Sequence, residues 1–573
     1  MDKHAAARLL DTIASYQELK GENPFKVRAF NNAARVVDAW PGDLEQALGS
    51  GELASTKGIG PATLEVVREY AASGGSTLLE DLRREVPDGL VEMRRIAGLG
   101  VTKIRTLHEQ LHISTVAELE LAARNGRLAG LPKFGEKTAE KILRGVEFLR
   151  RTSAYRLSHR ARGAAEALRA AVATLPGVER VAVAGSVRRR AEVSRDVDLA
   201  LALRDPAADL APALATLPGV REARAGAEGA WQVRLGDDTA ADLYGAPAER
   251  FGACLVRATG SASHLERLAA HARSRGYELD AGGLHRAGAL VPCPEEADVY
   301  AALGLAWVPP ELREGGDEIA RAAAGTLPKL VDRNDLAGAL HAHSVYSDGT
   351  NTVAELADAC RTAGFRYLGL TDHSVAAAYA GGLREDAVAR QHAEIDALNA
   401  TWTDFRILKG IEADILADGA LDYGAAVLGR FDFVIGSVHS RMEQDRETMT
   451  RRVLRAMDDP HFTILGHPTG RLLLGRDPYP LDLEAIVAGA AERGVAIEIN
   501  GDPQRLDLDW HWCARAREAG VSIAIGADAH SLAGLDNFDF GVGVARKGWL
   551  EARDVLNTRD ADGFLGFARR RRG

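Results

Sequence analysis

The chain is poor in cysteine: four in 573 residues, Cys254, Cys293, Cys360 and Cys513, widely separated and with no CxxC pair. That excludes a disulfide framework and a thiolate zinc site, and it points to a reducing compartment, the cytoplasm. No run of about 18 uncharged apolar residues occurs, so neither a membrane span nor a membrane partner is expected. The opening stretch, MDKHAAARLLDTIASYQELK, mixes charges into a helical pattern and has no secretory hydrophobic region. Excess positive charge is also missing, the net charge being −10. This does not exclude a nucleic-acid partner, because phosphate contact needs a local basic surface rather than a basic whole. Carboxylate-rich metal sites also pull the total down. The length itself implies three or four domains rather than one core.

Residues 1 to 150 read as all helix, and three segments in it resemble one another. Leu53–Val67, Met93–Leu107 and Leu128–Leu143 each carry an apolar helix, a glycine turn and a second amphipathic helix. From residue 151 the pattern becomes α+β. A helix (Gly163–Leu175) leads through a Pro-Gly turn into the strands VERVAVAG and VDLALAL, followed by WQVRL and TAADLYG. A helical run resumes at HLERLAAHARSRG, and the pairs Pro309-Pro310 and Gly315-Gly316 mark a boundary. From residue 333 strands and helices alternate, which implies parallel strands wrapped by helices; seven strand candidates suggest a seven-stranded α/β barrel. The terminal FARRRRG reads as a solvated basic patch.

The candidate strand ends in this last region carry His341, His343, Asp348, His373, Glu412, His439, His467, Asp528 and His530. Barrel folds place their chemistry at the C-terminal ends of the strands. Any one of these histidines alone could be a satisfied core residue. Six of the region's nine histidines at such ends, together with carboxylates, are not explained that way. Imidazole and carboxylate without thiolate suit Mn2+, Zn2+ or Fe. Clustered divalent ions generate hydroxide at neutral pH and clamp the oxygens of a phosphate displacement. The stretches HAHSVYSDGTN, LTDHS, GIEADI, SVHS, GHP and DAH resemble the polymerase-and-histidinol-phosphatase (PHP) domain over residues 333–573. The resemblance implies His341, His343, Glu412 and Asp528 on one metal, and Glu412, His439 and His467 on a second. Asp348, His373 and His530 would hold a third, and phosphoesterase or 3′-5′ exonuclease activity is implied.

In the α+β part, Gly185-Ser186-Val187-Arg188-Arg189 follows a strand and Asp196-Val197-Asp198 opens the next. Carboxylates at i and i+2 on a strand point the same way, and Asp242 on a neighbouring strand would complete a two-metal site. A Gly-Ser turn with arginines offers amides and charge to a polyphosphate. A surface loop and solvated strand-edge aspartates are the plain alternative. The order of these motifs, with ATGSASH (Ala258–His264) and Tyr300–Gly315, resembles a family X DNA polymerase with nucleotidyltransferase palm and thumb over most of residues 1–315. It implies Asp196, Asp198 and Asp242 as catalytic ligands of Mg2+ or Mn2+. Ser186, Arg189, Ser194, Gly260 and Ser261 would meet a deoxynucleoside triphosphate. The chain departs from the vertebrate pattern at Arg257-Ala258, at Leu265 in place of a minor-groove Asn, and at Asp280-Ala281-Gly282-Gly283. These departures touch nucleotide selection and primer positioning.

The three N-terminal units resemble helix-hairpin-helix motifs, which aim backbone amides at a DNA phosphate without reading sequence. Gly58, Gly60, Gly98, Gly100, Phe134 and Gly135 are the candidate DNA contacts, with Lys103, Lys137 and Lys141 as reinforcement. The first unit also resembles a 5′-deoxyribose-phosphate lyase domain, but Val66 stands at the Schiff-base position and Ala62 at a supporting lysine, so no lyase chemistry by that route is expected. The expected order is a helical DNA-binding domain (1–82), a fingers-like helical domain (83–150), palm (151–245), thumb (246–315), linker (316–332) and PHP barrel (333–573). The leading reading is a bacterial, nucleoid-associated enzyme of DNA repair, including base excision repair, acting on gapped or nicked double-stranded DNA. Two others stand beside it: a DNA-binding nuclease with a degenerate palm, and a small-molecule phosphatase of the histidinol-phosphate type. A duplex grip argues against the last.

Overall fold

The computed structural model describes residues 3–38, 40, 42–96, 98–132, 134–227 and 229–572. The chain divides into two compact units, Met1–Ala154 and Tyr155–Gly573. No helix among the described residues is long and apolar enough to cross a membrane.

The first unit is helical throughout. Helix Glu136–Thr152 buries Ile142, Val146 and Leu149, the one-face spacing of an amphipathic helix. Helices Pro61–Ser73, Val101–Leu111 and Glu136–Thr152 each begin at a glycine N-cap, Gly60, Gly100 and Gly135. Gly58 and Gly98 hold φ of +101° and +79°, which side chains disfavour. The side chain of Phe134 is 1% exposed and belongs to the helical core with Leu99, so any DNA contact at this position is left to its backbone. The residue inside each glycine turn is the hairpin's apolar plug, so the chain turns its backbone outward and this side chain inward.

The second unit contains three sheets and a barrel, the smallest sheet being the antiparallel pair Arg156–Leu157 and Val193–Ser194. Strands β1 (Val178–Val183), β2 (Asp196–Leu203), β3 (Val220–Ala225), β4 (Ala230–Leu235) and β5 (Ala240–Ala246) form one sheet in the order β1-β2-β5-β4-β3. In β2, Val197, Leu199, Leu201 and Leu203 pack beneath helix Ser158–Val172, while Ala200 and Ala202 meet Phe251 and Leu255 on the other face. Both faces are thus covered, except at the end where Asp196 and Asp198 emerge. Strands β6 (Tyr277–Asp280), β7 (Gly283–Arg286) and β8 (Ala289–Val291) form a small antiparallel sheet. The Asp280–Gly283 departure is its first turn, Asp280 pairing with Gly283. Leu265 packs against the neighbouring apolar cluster.

Strands β9 (Gly338–Ala342), β10 (Tyr367–Leu370), β11 (Arg406–Asp414), β12 (Phe433–Ser437), β13 (Phe462–Leu465), β14 (Ala496–Asn500) and β15 (Ile523–Ala529) close a parallel seven-stranded barrel in sequence order. One apolar cluster lies between strands and helices. Another, with Leu340, Tyr367, Leu408, Phe433 and Phe564, is closed by helix Ala561–Arg569. Two expectations are corrected here. The basic tail is not simply solvated: Arg571 donates to the carbonyls of Phe462 and Met457, and Arg572 to that of Phe431 at 2.7 Å. Residues 316–332 are no spacer either. Helix Glu318–Ala324 buries Ile319 and Ala322 with the cluster beside β6–β8, and Val331 bonds to the Leu550 carbonyl at 2.9 Å.

Candidate active sites

Six barrel strands deliver the nine anticipated residues, either from the strand or from the loop after it, to one pocket. His341, His343 and Glu412 are fully buried. Glu412 lies at the centre: its carboxylate is 3.4 Å from His341 Nε2, 2.9 Å from His373 Nδ1, 3.3 Å from His439 Nε2 and 3.0 Å from His467 Nε2. Asp528 lies 3.3 Å from His343 Nε2 and 3.6 Å from His341 Nε2. Asp348 lies 3.3 Å from His530 Nε2 and 3.7 Å from His373 Nε2. Ligand atoms within 4.8 Å of one another fall into three groups: His341, His343 and Asp528; His373, Glu412 and His439; and His343, Asp348, His373 and His530. The grouping differs from the one implied by family pattern. His343 belongs to two groups and His373 joins Glu412: His373 faces Glu412 through Nδ1 and Asp348 through Nε2, and His343 faces Asp528 through Nε2 and Asp348 through Nδ1.

The backbone bends to make this cluster. His341, His467 and Asp528 have φ of +60°, +23° and +51°, and the pairing of β9 is bulged between Leu340 and Ala342. Strain at such residues persists only where surrounding structure holds it. Burial and the nearby imidazoles of His530 and His373 push His343 down to about 3, against the pull of Asp528. Burial disfavours a charged Glu412, yet His439, His373 and His341 hold its carboxyl well below the usual range.

Carboxylates that sequence reasoning did not single out orient these ligands. Glu498 accepts from His341 Nδ1 at 2.5 Å and from the His467 amide at 2.7 Å; Asp414 lies 2.7 Å from His439 Nδ1. Asp528 accepts from Asn500 at 3.0 Å and sits 3.4 Å from Arg505. Such outer partners fix the tautomer and raise the basicity of a ligating histidine. A carboxylate inside an otherwise apolar strand, as in AIEIN, was the available signal. His341 Nε2, both ring nitrogens of His343, His373 Nδ1 and Glu412 Oε2 are buried without a hydrogen-bond partner. Leaving so many buried polar atoms unsatisfied is costly, and divalent cations fit this donor set.

The second centre is more open. Asp198 stands opposite Asp242 across the parallel β2–β5 pair, and Asp196 lies two residues before it on the same face. Burial and the charges of Asp196 and Asp242 push Asp198 up to about 7. Gly185 lets the turn sit on this carboxylate, since a Cβ there would lie 1.7 Å from Asp198 Oδ2. Ser186 Oγ donates to Ser194 Oγ at 2.8 Å. Arg189 Nε bonds to Glu314 at 3.1 Å, and Gly260 packs on the same guanidinium. Ser261 caps helix Ala262–Ser274 by accepting from the His264 amide. Arg188, beside them, is turned away to Glu296, with both bonds 2.7 Å. Burial opposes ionisation of Glu296, but Arg188 and Arg313 hold it down to about 2.

Fold and sites together define a class: a carboxylate-bearing sheet of nucleotidyltransferase type joined to a histidine-rich phosphoesterase barrel. Family models agree in every part they reach: a helix-hairpin-helix domain over residues 1–76, a SAM-like helix-hairpin-helix tandem over 90–147, a DNA polymerase beta thumb over 254–314 and a PHP domain over 339–501. The DNA polymerase/3′-5′ exonuclease PolX of Bacillus subtilis is 36% identical over 573 residues, covering 99% of each chain. A probable phosphatase of Thermoanaerobacter is 29% identical over 232 residues, 38% of this chain and 89% of its own. One of Clostridium acetobutylicum is 33% identical over 145 residues, 24% and 57% respectively. The chain belongs to the PolX family of DNA polymerase/3′-5′ exonucleases.

Proposed function

We propose that the chain is a DNA repair enzyme that fills gaps in duplex DNA and trims 3′ ends, with one centre for each reaction. A single chain holding both the Asp196/Asp198/Asp242 set beside a Gly-Ser-x-Arg-Arg turn and a nine-residue imidazole–carboxylate pocket carries this reading. A small-molecule phosphatase has no use for the first centre or for duplex grips.

In the polymerase centre, Asp196, Asp198 and Asp242 would hold Mg2+ or Mn2+. Ser186, Arg189, Ser194, Gly260 and Ser261 would receive the triphosphate. In the barrel, His341, His343, Asp348, His373, Glu412, His439, His467, Asp528 and His530 would hold two or three ions of Mn2+, Zn2+ or Fe. Such ions, when bound, supply hydroxide at neutral pH and neutralise phosphoryl oxygens. Glu498 and Asp414 would fix the tautomers of His341 and His439, leaving Nε2 to face the ions, and raise their basicity as ligands. Arg505 adds a cation beside Asp528 for the phosphodiester. The amides at Gly58, Gly60, Gly98, Gly100 and Gly135 would meet DNA phosphates, which suits an enzyme working on gapped or nicked DNA at the nucleoid, whatever its sequence.

Primer extension and 3′ degradation, measured together on gapped DNA with Mn2+ or Mg2+, test the assignment. Asp198→Ala should abolish extension and spare degradation, and His343→Ala should do the reverse. A chain carrying both substitutions that keeps either activity would refute it.

A further inference from the structure

The contacts of one barrel helix reach into the polymerase centre. Helix Asn537–Lys547 follows the ligand pair Asp528 and His530, and Asn537 at its start bonds to the Ala527 carbonyl at 2.9 Å. At its far end the ammonium of Lys547 contacts the Glu314 carboxylate and lies 3.3 Å from the carbonyl oxygen of Arg189. The face of Trp510 covers it at 5.0 Å. The Glu314 oxygen that meets Lys547 also accepts from Arg189 Nε, and Arg189 Nη1 donates to the Thr259 carbonyl. The guanidinium plane of Arg189 is therefore set by two anchors, one of which is shared with the barrel.

We propose that Lys547 is a positioning residue for nucleotidyl transfer: it holds Glu314, and through Glu314 the guanidinium of Arg189, in the orientation that receives the incoming triphosphate. The inference rests on reading Arg189 as a triphosphate contact. Charge gives the physical reason. An uncompensated Glu314 carboxylate beside Arg189 would compete with phosphate for the guanidinium and repel the approaching anion. Away from bulk water these terms are strong. Lys547 is 4% exposed, so its charge acts on Glu314 with little screening. The helix that carries it is held in place elsewhere. Asp539 accepts from Arg162 and, at 3.4 Å, from Arg190, and Gly543 packs on the Arg190 side chain. A helix springing from one centre thus fixes an arginine of the other.

The test is single-nucleotide incorporation into gapped duplex by the full chain, titrated in nucleotide, for Lys547→Met, Lys547→Arg, Glu314→Gln, the Lys547→Met/Glu314→Gln pair and Arg189→Ala. Lys547→Met should raise KM for the nucleotide about tenfold with kcat within about twofold, the signature of lost binding rather than lost chemistry. Lys547→Arg should restore most of it. The pair should be no worse than the worse single, because both residues act through one guanidinium. Degradation of 3′ ends should be unchanged in all of these. If Arg189→Ala raises KM and Lys547→Met does not, the positioning role is wrong and the Arg189 reading stands. If Arg189→Ala leaves KM unchanged, the Arg189 reading falls first. Should Lys547→Met not fold, Glu314→Gln decides, and an unaltered nucleotide KM there overturns the proposal.

Discussion

The two centres solve the problem of holding divalent cations in opposite ways. In the barrel, nine side chains crowd one pocket, three of these candidate ligands have strained backbone, and Glu498 and Asp414 brace the rings from behind. In the sheet, three carboxylates share a face, but among the described residues no trio there brings its ligand atoms within 4.8 Å. Mg2+ is usually held by one or two carboxylates with substrate phosphates completing the shell. A polymerase centre built that way would assemble only with its nucleotide, whereas the barrel set would suffice to hold ions alone. The lesson is that ligand density in the free protein reports who supplies the remaining ligands, not which centre is active.

The sharpest way to break this contrast is to remove the residue on which the barrel ligands converge. Glu412→Ala should lower 3′ degradation by at least about 10³-fold, since it removes the carboxylate on which His341, His373, His439 and His467 converge and with it the hydroxide that bound ions would supply. Metal analysis of the purified variant should show barrel ions lost, with extension retained. Asp242→Asn should abolish extension without changing the metal content of the purified protein. If both variants lose equal amounts of metal, the two centres do not differ as argued.

Chelation comes next. An ion that binds only the folded chain stabilises it by RT ln(1 + [L]/Kd), about 3 kcal/mol at a hundred times Kd. Stripping metal should therefore lower the melting temperature of the barrel transition. Asp198→Ala should leave this shift intact and Glu412→Ala should remove it. A smaller effect is expected one step out. Glu498→Gln should cost 3′ degradation about 10- to 100-fold, the usual penalty for losing an outer partner of a ligating histidine. Raised metal concentration should rescue part of it, and extension should be untouched.

Most of the barrel was legible because each ligand interrupts an apolar strand or follows its end, a placement that chance does not repeat nine times. Glu498 and Asp414 were harder to see: each is a single carboxylate in a strand, and only distance reveals which imidazole it serves. Strand β3, with the sequence VREARA, has no apolar alternation to mark it, being an edge strand with most side chains exposed. The stretch 316–332 was expected as a linker because the pair Gly315-Gly316 marks a boundary at its start, yet Glu318 in it is fully buried against His264, a pairing across distant sequence. Phe134, expected as a DNA contact from its place beside a turn glycine, turns its side chain into the helical core, which the local motif did not show. Local motifs showed what the residues could do, and long-range pairing decided which of them did it.

His264 sharpens the comparison from the other side, as a buried histidine that is not a ligand. It is fully buried, with Nδ1 2.8 Å from Glu318 and Nε2 3.0 Å from the Tyr300 hydroxyl. A neutral ring that donates from Nδ1 to Glu318 and accepts the Tyr300 hydroxyl at Nε2 uses both of its nitrogens. In the barrel pocket, by contrast, His341, His343, His373 and His467 leave ring nitrogens unpartnered. Burial lowers the His264 pKa below its ordinary 6.5, opposed by Glu318 and aided by Arg313. The unfolded chain then takes up a proton that the folded chain refuses. The contribution to stability is full above about pH 6.5 and is lost as pH falls below it, by at most about 1.4 kcal/mol per pH unit. Melting curves of metal-stripped protein between pH 7.5 and 5.5 check this, metal being removed so that ligand protonation at the barrel does not add a metal-release slope. His264→Gln should flatten the acid limb, because glutamine keeps a donor and an acceptor but does not titrate. An acid limb of equal slope in that variant would mean that His264 is already charged in the folded chain.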